Sequence, residues 1–316
     1  GEESLVSFAN PLRSLVADRH LPALTGSAGT EWDGATYDMD LKIHHAQDLL
    51  DFFAPGVYIA DGTSMNLSLS EDGKVRGEVS SSRLAYKGKY LKGLDISFIN
   101  SEESLTAKLK SSALYVSGAE LENNVLSLYA RNNHIGVGYT FDNKAEKETR
   151  AEVYLSGDLS RDKKGLGITA KALPSNIYYN GSGWSLNSGD IVFSGGDLKI
   201  GKLAAVHDDE TVLVDGGFSP SKADTLTVSL NRFDVSLLDN LTGASPSLAG
   251  KASGKALVLS PSKPAPGLLA SIVCDSTYVA GRDAGTLDIE SKWNESTSAF
   301  DLNFILRSEY SLYSAA

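Results

Sequence analysis

Large apolar side chains recur at every second position over most of this chain. The clearest instance starts at Asp224, where Leu226, Val228 and Leu230 alternate with Thr225, Thr227, Ser229 and Asn231. Successive side chains of a strand point to opposite faces, so this spacing predicts a strand with one apolar and one polar face. A run with helical spacing follows from Phe233 to Leu241, and Leu248-Ala-Gly250 and Ser253-Gly254 then lead into Leu257-Val-Leu259. The alternation recurs at Tyr37, Met39 and Leu41; Met65, Leu67 and Leu69; Leu94, Ile96 and Phe98; Leu105, Ala107 and Leu109; and from Ile135 to Phe141. It continues through Leu166, Ile168 and Ala170, through Val212 and Val214, and through Leu302, Phe304 and Leu306. Asp-Gly, Gly-Lys, Asn-Asn and Gly-Gly steps separate the runs, and these residues set turns or tolerate positive φ. Helical spacing appears twice more. Leu12, Leu15, Val16 and Leu21 fit one side of a short helix that Pro22 would end, and Ala46 to Phe53 fit another, stopped by Pro55-Gly56.

The order of these features repeats. Asp48-Leu-Leu-Asp51 resembles Ser236-Leu-Leu-Asp239, Tyr86 matches Tyr278, Gly93 matches Gly285, and Leu94-Asp-Ile96 matches Leu287-Asp-Ile289. The expected fold is all-β: an elongated, twisted antiparallel sheet of repeated hairpins, with one or two short helices. The expected organisation is an N-terminal segment at 1–34, a first β repeat unit at 35–230, and the start of a second at 231–316. No spacer rich in proline, serine or charge separates the copies, so the second is expected to run on from the first. The pattern leaves two arrangements open. Either the apolar faces bury one another in a sandwich or filled solenoid, or one twisted sheet leaves an apolar channel that acyl chains would occupy.

Composition narrows the function classes. The chain has 316 residues with 29 basic and 40 acidic side chains, and its cations are scattered apart from Lys163-Lys164, so nucleic acid is not an expected partner. Cys274 is alone and in phase with Leu268, Ala270 and Ile272, which predicts a buried thiol. No run approaches the roughly 18 apolar residues of a membrane span. A start at Gly1 without methionine is expected of a piece of a longer chain.

Candidate chemistry is sparse. His44-His45 is the only histidine pair, and neighbours on a strand face apart, so they do not share one ion. His207-Asp208-Asp209-Glu210 lacks the spacing that folds oxygens around calcium and reads as a charged hairpin tip. No nucleophile elbow or nucleotide loop occurs, four glycosylation-type triplets carry no weight in a chain this rich in Asn, Ser and Thr, and no cofactor is expected. Trp32, Trp184 and Trp293 sit near turn signals and are expected to cap the packing rather than stack sugars, which an adhesin-like solenoid would require.

From Ala172 onward the chain resembles a known family. Ala172-Leu-Pro174-Ser-Asn-Ile177, Gly183-Trp184-Ser-Leu186, Gly189-Asp-Ile191, Val212-Leu-Val214-Asp-Gly216, Ala223-Asp-Thr-Leu226-Thr-Val228, Leu248-Ala-Gly250-Lys-Ala-Ser-Gly254, Gly285-Thr-Leu287-Asp-Ile289 and Lys292-Trp293-Asn294 are similar to the periplasmic repeats of the TamB family, within the AsmA-like superfamily, in its Bacteroidetes form. The resemblance implies a non-enzymatic middle segment of a periplasmic protein, anchored to the inner membrane through an N-terminal part outside this sequence. It further implies an apolar trough carrying phospholipid between the two membranes, a role in outer-membrane biogenesis, and an outer-membrane barrel partner reached through a missing C-terminal part. The expected partners are phospholipid acyl chains. The residues expected to face the trough are Leu226, Val228, Leu230, Leu257, Leu259, Leu268, Ile272, Leu287, Ile289, Leu302, Phe304 and Leu306. A second reading is a scaffold that offers strand edges to outer-membrane strands.

Overall fold

A computed structural model describes residues 18–26, 34, 36–116, 119–143, 149–179, 181–187, 189–221, 223–237, 248–262, 266–294, 297, 299–308 and 312–315. The chain is all-β, its strand pairings antiparallel, and it divides into two units. Gly1–Ala170 with Ser175–Gly181 form the first, and Lys171–Pro174 with Ser182–Ala316 the second.

The first unit holds α1 (Pro22–Thr25), β1 (Tyr37–Lys42), α2 (Gln47–Phe53), β2 (Val57–Ile59), β3 (Ser64–Leu69), β4 (Val75–Tyr86), β5 (Lys89–Asn100), β6 (Leu105–Val116), β7 (Ala119–Arg131), β8 (His134–Asn143), β9 (Thr149–Asp162) and most of β10 (Gly165–Tyr179). From β3 to β9 each strand pairs with the next, and β1 pairs with β3. The alternating runs fall on these strands in phase. Met39, Leu67, Gly77, Phe98, Ala107, Leu128, Val137 and Leu155 form one transverse row, and Leu41, Met65, Val79, Ile96, Leu109, Leu126, Tyr139 and Val153 form the next. The opposite face carries Asn66, Glu78, Ser97, Lys108 and Ser127 in register. Alternation alone therefore makes a sheet with one apolar and one polar side.

Several strands run longer than their apolar alternation. Beyond Val79, Ile96 and Leu109 lies a line of buried small polar residues, Thr63, Ser81, Ser111 and Asn124, with Leu94 1% exposed among them. Pairing lapses beside this line at Ser82, Gly93, Ser112 and Asn123, and Gly93 and Asn123 have φ of +54° and +52°. Past it the apolar positions change parity, to Ile59, Leu84, Leu91, Leu114 and Leu121, still opposite one another. A non-extended residue in a strand resets the side-chain alternation, which permits this change.

One end of the first unit's apolar face is plugged. Leu21 and Ala23 pack with Leu105, Ala130 and Leu159, and Phe98, Ile135, Leu166 and Ile168 surround them. Hydrogen bonds fix the plug: Ala23 N donates to Asn133 Oδ1 at 2.8 Å, Asn133 N to His20 O at 2.7 Å, and Arg161 Nε to Ala23 O at 2.8 Å. A short helix begins at Pro22. Proline lacks the N–H that the first helical position leaves unused, and Gly26, at φ +70°, closes the turn by donating to Pro22 O. Leu12, Leu15 and Val16 lie outside the described residues.

His20, 2% exposed, sits within the plug with Nε2 2.6 Å from Ser101 O. Burial holds its imidazole below the ordinary value; the Ser101 carbonyl opposes this, and the Arg19 and Arg131 charges add to it. The unfolded chain therefore takes up this proton at higher pH than the folded one, so stability is full above about pH 6.5 and is lost as pH falls below it. His20→Gln is expected to flatten the drop in Tm between about pH 7 and pH 5. An unchanged slope would remove His20 from the account.

The second unit holds β11 (Ser182–Asn187), β12 (Asp190–Ser194), β13 (Asp197–His207), β14 (Glu210–Phe218), β15 (Thr225–Asp234), β16 (Leu248–Leu259), β17 (Gly267–Val279), β18 (Arg282–Asn294), β19 (Ala299–Arg307) and β20 (Leu312–Ala315). From β12 each strand pairs with its successor, and β11 pairs with β13. The internal repeat is visible in the pairings. β1, α2, β2 with β3, β4 and β5 have their counterparts in β15, the helical start at Ser236 and Leu237, β16, β17 and β18. Phe233 and Asp234 belong to β15 rather than to the predicted helix, and residues 238–247 lie outside the described set.

Candidate functional site

The residues expected to line the trough can be placed by register, because partners across an antiparallel ladder share a face. Gly216, Leu226, Val258 and Leu268 form one transverse row of the second unit. Beside it run Val214, Val228, Ala256, Ala270, Ser291 and Leu302, and then Val212, Leu230, Gly254, Ile272, Ile289 and Phe304. Cys274, Leu287 and Leu306 follow. Ten of the twelve expected residues thus lie on one face.

Leu257 and Leu259 do not. They pair with Thr227 and Thr225, which puts them on the opposite side, and Val258 takes the position expected of them. Lys255 is in phase with Leu257 and Leu259, whereas Gly254, Ala256 and Val258 are in phase with Leu226 across the ladder. That lysine is the signal in the sequence that marks the polar side. Val212, Val214, Val258, Ala256 and Ala270 are the face residues that sequence reasoning missed. Small side chains in the middle of an apolar face give no strong periodic signal, although they decide how closely a ligand approaches.

This face is not sealed. Leu302 is 42% and Phe304 39% exposed, and the other expected residues are half-buried. Among the described residues its far end is closed, where Val235, Ala252 and Cys274 are buried with Leu230, Phe233, Leu248, Ile272 and Leu287 around them. Cys274 is buried, as its phase predicts. In the first unit, Leu41 and Leu126 are 39% and 38% exposed on the corresponding face. That unit also carries, beyond its polar line, a shallow apolar pocket of about 320 Å³ lined by Val57, Ile59, Leu84, Leu91 and Leu114.

No protein-family model, curated protein or solved structure matches this chain.

Polar chemistry is confined to the margins of the faces. The turn at Asp208-Asp209 is the charged hairpin tip expected of that stretch, and Asp209 pairs with Arg232, which holds its carboxyl below the usual range. Glu210 departs from that expectation: it is 6% exposed, and its carboxylate accepts from Lys251 Nζ at 2.6 Å and from Asp234 N at 2.9 Å. Asp234 lies 3.5 Å from the same ammonium. The hydrogen bond to Glu210 raises the Lys251 pKa, against the opposing effect of burial, and Asp234 raises it further. Trp184, 6% exposed, packs on His207 and Phe233 with ring centroids 5.5 and 5.9 Å away. Trp293 packs on Phe300 at 4.8 Å, and Trp32 lies outside the described residues. Among the described residues no three His, Cys, Asp or Glu side chains meet as a metal site would require. No helix among them is long and apolar enough to cross a membrane.

Proposed function

We propose that this chain is a lipid-handling segment of a cell-envelope protein of the TamB type, whose apolar strand faces form a trough for phospholipid acyl chains. One observation carries the reading: in each unit a face continuous across successive strands is apolar and left half-open, while its reverse is polar in the first unit and mixed in the second, where Thr225, Thr227, Ser229 and Lys255 stand among Leu213, Leu257, Leu259 and Leu269. Each CH₂ moved from water onto such a face contributes about 0.8 kcal/mol, so a lipid tail binds without any specific polar contact. Head-group selectivity is then weak, because the charged groups of the second unit lie on the reverse side and at the margins, and the one polar side chain in the rows of the face, Ser291, is buried. The sequence resemblance supports a periplasmic position for such a segment, between an inner-membrane anchor and an outer-membrane barrel partner.

Native mass spectrometry of protein purified gently from cells is expected to show bound phospholipid, in a mixture of head groups. A bare protein mass, together with no uptake of a fluorescent phospholipid, would sink the reading. The competing scaffold reading places the partner at strand edges and expects crosslinks there to unfolded barrel protein rather than to lipid.

A further inference from the structure

We propose that the α2 end of the first unit docks on the surface of an anionic phospholipid bilayer. Leu49, Phe52 and Phe53 stand at i, i+3 and i+4 of α2, so they form one stripe, and they are 65%, 79% and 76% exposed. No other large apolar side chain among the described residues is as exposed. Asp51 falls on the other side of the helix, where Gln47 Nε2 donates to it at 2.6 Å and to Val57 O at 3.2 Å, and Asp48, four residues before Phe52, borders the stripe.

The stripe is held outward by a fixed base. Ala54 N donates to Leu50 O at 2.7 Å, Val57 N to Ala54 O at 3.1 Å, and Lys87 N to Gly56 O at 3.0 Å. The last of these bonds sets the β4–β5 hairpin tip beside the turn that follows α2. Exposed Tyr58 and Tyr86 and exposed Lys87 and Lys89 therefore share that end with the phenylalanines.

The internal repeat shows that this exposure is not forced by the fold. Leu237, the counterpart of Leu49, is 9% exposed, and Val235 beside it packs onto Ala252 and Cys274 of its own sheet. The first copy instead presents phenylalanines backed by tyrosines and lysines, the side chains that occupy the acyl boundary, the head-group level and the phosphate level of a membrane surface. Net charge also favours this occupant. A chain of net charge −11 is repelled by an anionic surface and by its own copies, except where cations gather, and the hairpin tip supplies Lys87 and Lys89. Arg83 lies nearby, over the Tyr58 and Tyr90 rings, while Lys92 is within 3.7 Å of Glu120. The inference stands apart from the acyl-chain reading, since it concerns a helix and a hairpin tip rather than the strand faces.

The test is co-sedimentation of the full chain with vesicles of phosphatidylcholine alone or of phosphatidylcholine with phosphatidylglycerol. Binding is expected to the anionic vesicles. Phe52→Ser with Phe53→Ser should weaken it about tenfold or more, Lys87→Glu with Lys89→Glu should reduce it to the level of neutral vesicles, and the same charge reversal at exposed Lys163 and Lys164 in the β9–β10 turn should leave it unchanged. Both α2 positions are exposed, so the variant should melt as the parent does. Absence of binding to anionic vesicles, or equal binding by the Phe52/Phe53 variant, would overturn the proposal. So would a dimer that dissociates in that variant without any vesicle binding, which would assign the stripe to a second copy.

Discussion

Gly254→Val is expected to unfold the second unit or to cost on the order of 3 to 5 kcal/mol, among the largest single-site effects in the chain. Gly254 has φ +146° and lies at the middle of the apolar face, between Leu230 and Ile272. A Cβ there would overlap the Ser271 carbonyl oxygen and come 2.7 Å from Ile272 Cα. Both atoms belong to the backbone of β17, which is held in its ladder and cannot swing aside as a side chain would. Gly88→Ala provides the contrast: φ is +82° there too, but nothing lies within 4 Å, and only the backbone preference is lost, about 1 kcal/mol. Thermal denaturation should separate the two variants widely. Similar melting temperatures would mean that β16 and β17 are not joined in this register.

Lys251→Met is expected to cost about 2 to 3 kcal/mol, chiefly by leaving Glu210 buried without its cation. The Lys251 side chain is 33% exposed, so solvent takes up part of the loss and places the figure toward the low end of that class. Glu210 is the determining partner, since its side chain is 8% exposed and also receives Asp234 N. If the cost comes from the stranded carboxylate, the double variant Lys251→Met, Glu210→Gln should recover most of it. Urea denaturation of the single and double variants measures this directly. Strictly additive losses would show that the two side chains act independently.

Much of the strand architecture was legible because alternation is a local property. Tyr37-Met39-Leu41 and Leu226-Val228-Leu230 became strands with the expected phase. The face of β16 was misjudged for a physical reason: the two large leucines at 257 and 259 outweighed Gly254, Ala256 and Val258, although what sorts the faces is pairing with β15 rather than side-chain size. The line through Ser81, Ser111 and Asn124 was equally hidden. Serine and asparagine end an alternating run on paper, whereas in the fold they are buried and the strand continues past them. Pro22 serves as the first residue of a short helix, which the contact of Ala23 with Asn133 holds in place.

Two of these features bear on function. The small residues at the middle of the second unit's face keep its floor low, and the half-exposed Leu302 and Phe304 leave it accessible. The plug formed by Leu21 and Ala23 closes one end of the first unit's face. A face that is apolar, continuous and open is unfavourable in water unless something occupies it.

The most direct measurement is therefore a face-resolved crosslink in intact cells. A photo-reactive residue is placed in turn at Leu226, Val228 and Leu230 and at Thr225, Thr227 and Ser229, and phospholipid adducts are detected by mass spectrometry. Adducts are expected at the first three positions and not at the second three. Equal labelling of the two sets, labelling of the threonine side, or protein adducts in place of lipid would contradict the account.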